Sequence, residues 1–157
     1  MIDVESGRTG LGVTEFVTKK LMDEDLILAA PDAMEFEVGK PVDLGCLATH
    51  NLILYPEYPR PSFADVVLKA CQDAGFKVPR RVFTMDLQTA LSLVAIGEGM
   101  CIVPASVGSA PRHEIKFLKL DPSFARTALS INYRLDEQGV HVQNFVKIAQ
   151  SVARKRS

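Results

Sequence analysis

The stretch Asp86–Val103, DLQTALSLVAIGEGMCIV, decides the fold of this chain. Asp86 is placed to cap a helix, because its carboxylate can accept hydrogen bonds from the N–H groups of a first turn. Apolar residues then recur at helical spacing, at Leu87, Ala90, Leu91 and Val94. Gly97 and Gly99 are expected to end that helix. The wholly apolar run Met100–Val103 is typical of a strand buried on both faces, so the stretch predicts one half of a βαβ layer.

Strands and helices alternate along the rest of the chain. The clearest helix begins after Ser62, which forms an S-x-x-D capping pattern with Asp65, and it ends at Gly75. Strands are predicted at 2–4, 16–22, 26–30, 51–55, 81–85, 100–103, 115–120 and 128–134, helices at 87–96 and 141–155, and a glycine-rich loop at 5–13. The last helix has an apolar face made of Val142, Phe145, Ile148, Ala149 and Val152. This alternation indicates an α/β fold with a mostly parallel sheet covered on both faces.

Composition sets limits on the function. The 157 residues are 47% hydrophobic and 24% charged, which is ordinary for a globular domain. The net charge of −1 argues against a nucleic-acid surface, and the basic run 154–156 suits a helix end. No apolar run approaches the roughly 20 residues needed to span a bilayer. Since the start does not resemble a signal peptide, we expect no membrane partner and a cytoplasmic location.

The residues that could carry catalysis or bind metal are sparse. His50, His113 and His141 have no partner histidine or cysteine at metal-ligand spacing. The chain has no nucleophile elbow and no Walker loop, and its GEG segment follows a helix, so it indicates a helix stop rather than a phosphate loop. The sequence therefore predicts no catalytic residue, no metal and no cofactor. The cysteines Cys46, Cys71 and Cys101 are odd in number and widely spaced, which fits a reducing environment without disulfides. Cys71 and Cys101 lie in apolar patterns and are expected to be core residues.

A binding site is easier to place. Pro59-Arg60-Pro61 is a stiff segment, because proline rings fix φ, and it leads directly into the helix that starts at Ser62. Unpaired N–H groups at a helix N-terminus suit a carboxylate, and those of Ser62, Phe63 and Ala64 are the candidates here. Phe63 would supply an apolar wall or lie in the core.

Several segments together resemble the sensor domain of LysR-type transcriptional regulators. They are LVA-x-GEG-x-x-IVPAS at 93–106, which overlaps the opening stretch, and the segments ILYP at 53–56, PRPSFA at 59–64, IDV with Gly7-Arg8 near the start, and LILAAP at 26–31. The PRPSFA and IDV segments are similar to the corresponding segments of the branch that responds to benzoate, muconate and chlorinated muconates.

The resemblance implies a type 2 periplasmic-binding-protein-like fold. Residues 24–125 would form the complete, Rossmann-like second lobe of the domain, and residues 1–23 and 126–157 would be a partial remnant of its first lobe. Residues 42–49 would form the short helix that precedes the strand at 51–55. We find no counterpart here of the family's helix-turn-helix domain or of the start of its first lobe, so we expect a piece of a longer protein. That protein would bind DNA only through the absent helix-turn-helix domain. It would self-associate as a dimer or tetramer. The strand ending at Val4 and the helix 142–152 would then expose an unpaired edge and an apolar stripe.

The resemblance also implies a function. A small carboxylate effector, an aromatic-degradation intermediate such as muconate, would bind between two lobes to control aromatic-catabolism genes. Pro61, Ser62 and Phe63 would border that site, and Arg8 would pair with the effector carboxylate, although ESGR replaces the family's GFGR and Glu5 could pair with Arg8 instead. Val94 would be an apolar contact or a core residue, and both alternatives stay open.

Two other classes compete with this interpretation. A periplasmic-type solute-binding protein of the same fold would carry a signal peptide, which the sequence does not show. An enzyme on this fold, such as a prephenate-dehydratase-like protein, would need a catalytic threonine or acid constellation, which the sequence does not offer either.

Overall fold

The computed structural model describes residues 3–9, 12–121, 124, 126–137 and 139–156, with side chains from residue 15 onward. Its contacts divide the chain into two compact units, a larger one, Asp25–Thr127, and a smaller one made of Met1–Glu24 and Ala128–Ser157. The strands are β1 (Asp3–Thr9), β2 (Gly12–Pro31), β3 (Leu52–Leu54), β4 (Arg81–Phe83), β5 (Met100–Pro104), β6 (Ile115–Lys119) and β7 (Arg126–Arg134). The helices are α1 (Phe63–Asp73), α2 (Leu87–Ala95) and α3 (Val140–Arg156), with short 3-10 helices at Leu44–Ala48 and Ala105–Ser109.

The larger unit is built on three parallel strands. β3 lies between β4 and β5 and is parallel to both. β2 continues the sheet, antiparallel to β5 on one side and to β6 on the other. Leu52, Ile53 and Leu54 of β3 are at most 1% exposed, as expected for a central strand covered on both faces.

The two faces of this sheet form two separate clusters of buried residues. Leu52 and Leu54 pack with α1, through residues that include Val67 and Cys71. Ile53, which points to the opposite face, packs with α2. This places one crossover helix on each side of the sheet and confirms the α/β arrangement.

Both helices of the larger unit end at a glycine, as the sequence predicts. Gly75 and Gly97 have φ of +75° and +85°, a region that glycine occupies at little cost. After α2, the N–H of Gly97 donates to Val94 O and that of Glu98 donates to Leu93 O, which is the Schellman pattern. Phe76 and Gly75 repeat it after α1.

Gly99 has a different role from the predicted one. A Cβ atom at this position would lie 2.5 Å from the backbone oxygen of Asn51. That same oxygen accepts a hydrogen bond from the N–H of Met100 at 2.9 Å, and the side chain of Asn51 donates to Glu98 O. Gly99 therefore does not end the helix but permits the close approach that aligns β5 with β3.

The strands of the smaller unit differ from two predictions. The predicted loop at 5–13 is largely strand. β1 pairs antiparallel with β2, from Asp3 opposite Thr18 to Thr9 opposite Gly12. The pairing satisfies the backbone N–H and C=O groups of this segment, and its glycine content does not predict that pairing. The strands predicted at 16–22 and 26–30 are one continuous β2. The acidic run between them does not break the strand, since Asp23 pairs with Lys20 and Asp25 pairs with Arg126.

Helix α3 has the predicted position but packs through a different face. Val146 and Ala153 are its buried residues. Phe145 and Ile148 are 63% exposed and Val152 is 50% exposed. The expectation of an exposed apolar stripe on this helix is therefore confirmed for three residues, while the helix packs through the face that Val146 marks. On α1, Val66 is likewise an exposed apolar side chain.

Two cysteines are core residues, as predicted. Cys71 and Cys101 have no exposed surface. Burial raises the pKa of the Cys71 thiol to about 11 and raises that of Cys101 as well. Both side chains are therefore uncharged hydrophobes at neutral pH.

We expect Gly99→Ala to lower the free energy of unfolding by about 1–3 kcal/mol, because the new methyl group would overlap the Asn51 oxygen and force β5 away from β3. Urea unfolding followed by circular dichroism measures the loss. Gly139→Ala is the control, since a Cβ there meets nothing within 4 Å, and it should cost less than about 1 kcal/mol. Equal losses in the two variants would contradict the packing role of Gly99.

Candidate functional site

The candidate site is the turn between β3 and α1, at the carboxyl edge of the parallel strands. Ligands of open α/β sheets bind at this edge, because the loops that follow parallel strands meet there. Thr84, which directly follows β4, holds this turn through two hydrogen bonds. Its N–H donates to Leu54 O at the end of β3 at 2.9 Å, and its carbonyl oxygen accepts the N–H of Glu57 in the loop after β3 at 2.7 Å. The turn is thus fixed to its neighbour before α1 begins.

The first turn of α1 is closed by its own carboxylate. Asp65 Oδ2 accepts the N–H of Ser62 at 2.7 Å, which confirms the predicted capping pattern. The same carboxylate accepts Arg60 Nε at 2.6 Å, and its Oδ1 accepts Arg60 Nη2. The hydrogen bond from Arg60, followed by that from Ser62, lowers the pKa of Asp65 to about 2.

This closure corrects the expectation that the N–H of Ser62 is free. The S-x-x-D pattern that starts the helix also uses this donor, so it is not available to a ligand. The Ser62 hydroxyl is occupied too, since it donates to Pro56 O at 2.8 Å. The N–H groups of Phe63 and Ala64 have no acceptor within their own helix. Ala64 is fully buried, whereas Phe63 keeps part of its surface, so the N–H of Phe63 is the donor that remains for a ligand.

Aromatic side chains line the turn. The ring of Phe63 lies 5.3 Å from that of Tyr55, at an interplanar angle of 41°. Phe63 is half-buried and packs against the core cluster on the α1 face, so it joins the core and still presents part of its surface. The Arg60 guanidinium lies over the ring of Phe83, 5.2 Å from its centroid. The turn thus combines helix donors, apolar rings and one guanidinium.

The other predicted site residues lie in different surroundings. Pro61 is exposed and directly precedes Ser62. Val94 is fully buried at 0% exposure, with Ile53 and Val103 in the cluster on the α2 face, and this position favours the core alternative. The backbone of Arg8 lies in β1 of the smaller unit, opposite Val13, and its side chain is outside the described part of the structure.

Sequence reasoning missed the roles of Arg60 and Tyr55. The sequence indicates only that Arg60 belongs to a stiff segment, whereas its side chain pairs with the capping carboxylate five residues later. The signal was available, because an arginine just ahead of an S-x-x-D start can reach the same Asp. Tyr55 ends the buried strand region, and its contact with Phe63 depends on the fold of the turn rather than on any sequence spacing.

Other surfaces of the larger unit offer less. An open groove runs beside α1, lined by Asp65, Leu68, Lys69, Gln72, Gly75, Phe76, Lys77, Val78 and Arg81. Its basic side chains are exposed, and it has no aromatic pair. Among the described residues, no three His, Cys, Asp or Glu side chains are grouped to hold a metal ion. No helix in the described part of the chain is long and apolar enough to cross a membrane.

We expect Arg60→Gln to raise the pKa of Asp65 from about 2 toward, but not to, its usual range, because the Ser62 N–H still bonds the carboxylate. Carboxyl NMR titration measures this. Since the folded pKa lies below the usual value, the stabilisation is complete above about pH 4. This stabilisation is lost as the pH falls toward 2. In Arg60→Gln, the same stabilisation should be lost at a higher pH. Arg112→Gln is the control, because Arg112 contacts Gln88; an unchanged Asp65 pKa in Arg60→Gln would contradict the pairing.

Comparison with known proteins identifies the family. The chain matches the model of the LysR substrate binding domain over residues 6–154. The HTH-type transcriptional regulator CatR from Pseudomonas putida is 32% identical over 142 residues, covering 90% of this chain and 49% of CatR. The effector binding domain of a variant of BenM, a regulator of Acinetobacter baylyi, matches with a TM-score of 0.78 at 27% identity, covering 98% of this chain and 72% of that chain. The BenM effector binding domain with its effector benzoate gives a TM-score of 0.75 at 27% identity, covering 90% of this chain and 64% of that chain.

These matches confirm the type 2 periplasmic-binding-protein-like fold. The named relatives are transcriptional regulators rather than enzymes. The chain spans about half the length of the curated relatives it matches. With a family match over nearly its whole length, the chain belongs to the LysR substrate binding domain family.

Proposed function

We propose that this chain is the effector-sensing part of a LysR-type transcriptional regulator and that it binds a small carboxylate. The effector class would be an aromatic-degradation intermediate such as muconate. Family membership supports the regulatory role, and the benzoate complex of BenM shows that one relative binds an aromatic carboxylate.

One observation in the structure carries the choice of site. The first turn of α1 offers the N–H group of Phe63 beside the paired rings of Phe63 and Tyr55. A helix N-terminus favours an anion, and the rings suit an apolar body attached to it. A carboxylate with an unsaturated or aromatic body therefore fits the turn better than a fully hydrophilic anion does.

Asp65 sets a limit on the affinity. Its carboxylate is ionised at neutral pH and already neutralises part of the positive end of the helix. An incoming carboxylate is therefore repelled by Asp65 and competes with it for the guanidinium of Arg60. Removing this charge should strengthen binding, which is the opposite of the usual effect of a change at a binding site.

The remaining predicted residues keep supporting roles in the proposal. Arg8 would supply a guanidinium for a second carboxylate of a diacid. Pro61 would hold the backbone ahead of Ser62, and Val94 would act from the core behind the sheet rather than by direct contact. The larger unit would be the complete second lobe, and the smaller unit the partial one.

Regulation would follow from a difference in effector affinity between two states of the whole protein, since a ligand shifts an equilibrium only by that difference. The whole protein would self-associate as a dimer or tetramer and contact DNA through a helix-turn-helix domain beyond the part matched here. A regulator of this class would act in the cytoplasm. No named relative favours the solute-binding alternative.

We expect Asp65→Asn to tighten muconate binding about two- to five-fold, because it removes a negative charge from the helix N-terminus, keeps an acceptor for Ser62 N–H and releases Arg60. Isothermal titration calorimetry of the chain with muconate and with benzoate measures the change. Asp73→Asn is the matched control, since it removes the same charge at the other end of α1, where Asp73 pairs with Lys69.

Two results would contradict the site. One is equal affinity in Asp65→Asn, Asp73→Asn and the unaltered chain. The other is that Phe63→Leu weakens benzoate no more than it weakens acetate, since the ring of Phe63 is assigned to the apolar part of the effector.

We also expect this chain alone to give no sequence-specific DNA complex, because its net charge is −1 and its basic run is confined to the end of α3. A mobility-shift assay with promoter DNA carrying the family's dyad element tests this. A nanomolar complex that unrelated DNA does not compete away would contradict it.

A further inference from the structure

Thr84 is a buried polar residue at the carboxyl edge of the sheet, directly after β4. It is 6% exposed, and within the described part of the chain Glu24 is the other polar or charged residue that is buried. A hydroxyl that leaves water needs a hydrogen-bond acceptor, because an unpaired one destabilises the fold. The partners of Thr84 therefore indicate what its side chain contributes.

The hydrogen bonds of Thr84 reach three segments of the larger unit. Its backbone N–H donates to Leu54 O at the end of β3, and its carbonyl oxygen accepts the N–H of Glu57 in the loop before α1. Its hydroxyl lies 3.2 Å from Asp86 O and 3.5 Å from Leu54 O. Since a hydroxyl has one proton to donate, the nearer oxygen, that of Asp86, is the preferred acceptor. Asp86 is the N-cap residue of α2.

A single peptide group continues this connection to the start of α1. The carbonyl of Pro56 and the N–H of Glu57 belong to one planar unit. That carbonyl accepts the hydroxyl of Ser62 at 2.8 Å, and that N–H donates to Thr84 O at 2.7 Å. Ser62 is the N-cap residue of α1. Three hydrogen bonds, two of them made by Thr84, thus join the N-caps of α1 and α2, and we call this chain of bonds the N-cap relay.

The hydroxyl is the part of the relay that depends on the side chain at position 84. Any residue with a backbone N–H could form the bonds to Leu54 and Glu57. The hydroxyl adds the bond to Asp86 O, which also accepts the N–H of Ala90 as the first helical bond of α2. Because a β-branched side chain has few χ1 rotamers, this bond also fixes the orientation of Thr84.

We propose that Thr84 is a positioning residue of the effector site and that the N-cap relay holds the first turn of α1 in its binding arrangement. The inference rests on the proposed function, since it takes that turn as the place where a carboxylate binds. Thr84 acts through Glu57 and Ser62 and makes no contact with the effector. A turn that is already ordered loses less conformational freedom on binding, which raises the affinity.

Isothermal titration calorimetry with benzoate tests the role of the hydroxyl. Thr84→Val replaces it with a methyl group and keeps both backbone bonds, so we expect binding to weaken about three- to ten-fold, as for the loss of one hydrogen bond. Thr84→Ser keeps the hydroxyl and should bind as the unaltered chain does. Thr89→Val is the matched control, because the Thr89 hydroxyl also lies 3.2 Å from Asp86, at its carboxylate, but acts within α2. It should leave the affinity unchanged.

Amide hydrogen exchange of the ligand-free chain separates positioning from general stability. In Thr84→Val the N–H of Glu57 should exchange several-fold faster, because the orientation of its acceptor is no longer fixed. In Thr89→Val the faster exchange should be confined to the first turn of α2. Gly99→Ala is a second control, since it loosens the contact of β5 with β3 and should leave the benzoate affinity of the folded chain unchanged. Circular dichroism verifies folding, and Thr84→Ala replaces Thr84→Val if the valine variant does not fold.

The outcomes distinguish this inference from the proposed function. Equal affinity in Thr84→Val and the unaltered chain, with benzoate shifting the Phe63 amide in both, would overturn the inference and leave the proposed function standing. An equal loss of affinity in Gly99→Ala would assign the effect to stability and overturn the inference as well. If benzoate shifted no amide near Phe63 in the unaltered chain, the proposed function would fail, and the inference with it.

Discussion

The parallel pairing of β3 with β4 and β5 is the constraint on which the larger unit depends. Parallel neighbours require crossover connections, and here α1 and α2 supply them on opposite faces of the sheet. Each helix must therefore start at the carboxyl edge and stop before the next strand begins. The glycine stops at Gly75 and Gly97 and the close approach at Gly99 serve that requirement, because they return the chain to the sheet within a few residues.

The same constraint creates the candidate site. Because α1 must begin at the carboxyl edge, its first-turn donors lie beside the loop that follows β4, and Glu57 and Thr84 join the two loops. Asp65 then determines how much of this positive end is left for a ligand. Its carboxylate holds Ser62 and Arg60 together, so the turn is both preorganised and partly neutralised. Affinity at such a turn depends on the balance between these two effects.

Local signals in the sequence predicted much of the larger unit. Asp86 caps α2, Asp65 closes α1, and both glycine stops follow from patterns within a few residues. The smaller unit was harder, because the pairing of β1 with β2 is set by register and not by a hydrophobic run. The packed face of α3 was also missed, since Phe145, Ile148 and Val152 form the stronger apolar pattern while Val146 and Ala153 make the contacts. At the turn, the start of α1 after Ser62 follows from the sequence, but the hydrogen bond that Asp65 accepts from Ser62 and Arg60 depends on side-chain geometry. The effector roles of Pro61, Ser62, Phe63, Arg8 and Val94 stay predictions.

An NMR titration of the backbone amides with muconate tests the central claim most directly. The account predicts that the amide signal of Phe63 shifts most, followed by that of its neighbour Ala64 along the same binding curve, because the N–H of Phe63 would gain a carboxylate acceptor. The amide of Ser62 should shift less, since Asp65 already accepts its hydrogen bond. Largest shifts at Lys69, Lys77 and Arg81 in the groove beside α1, with Phe63 and Ala64 unmoved, would contradict it.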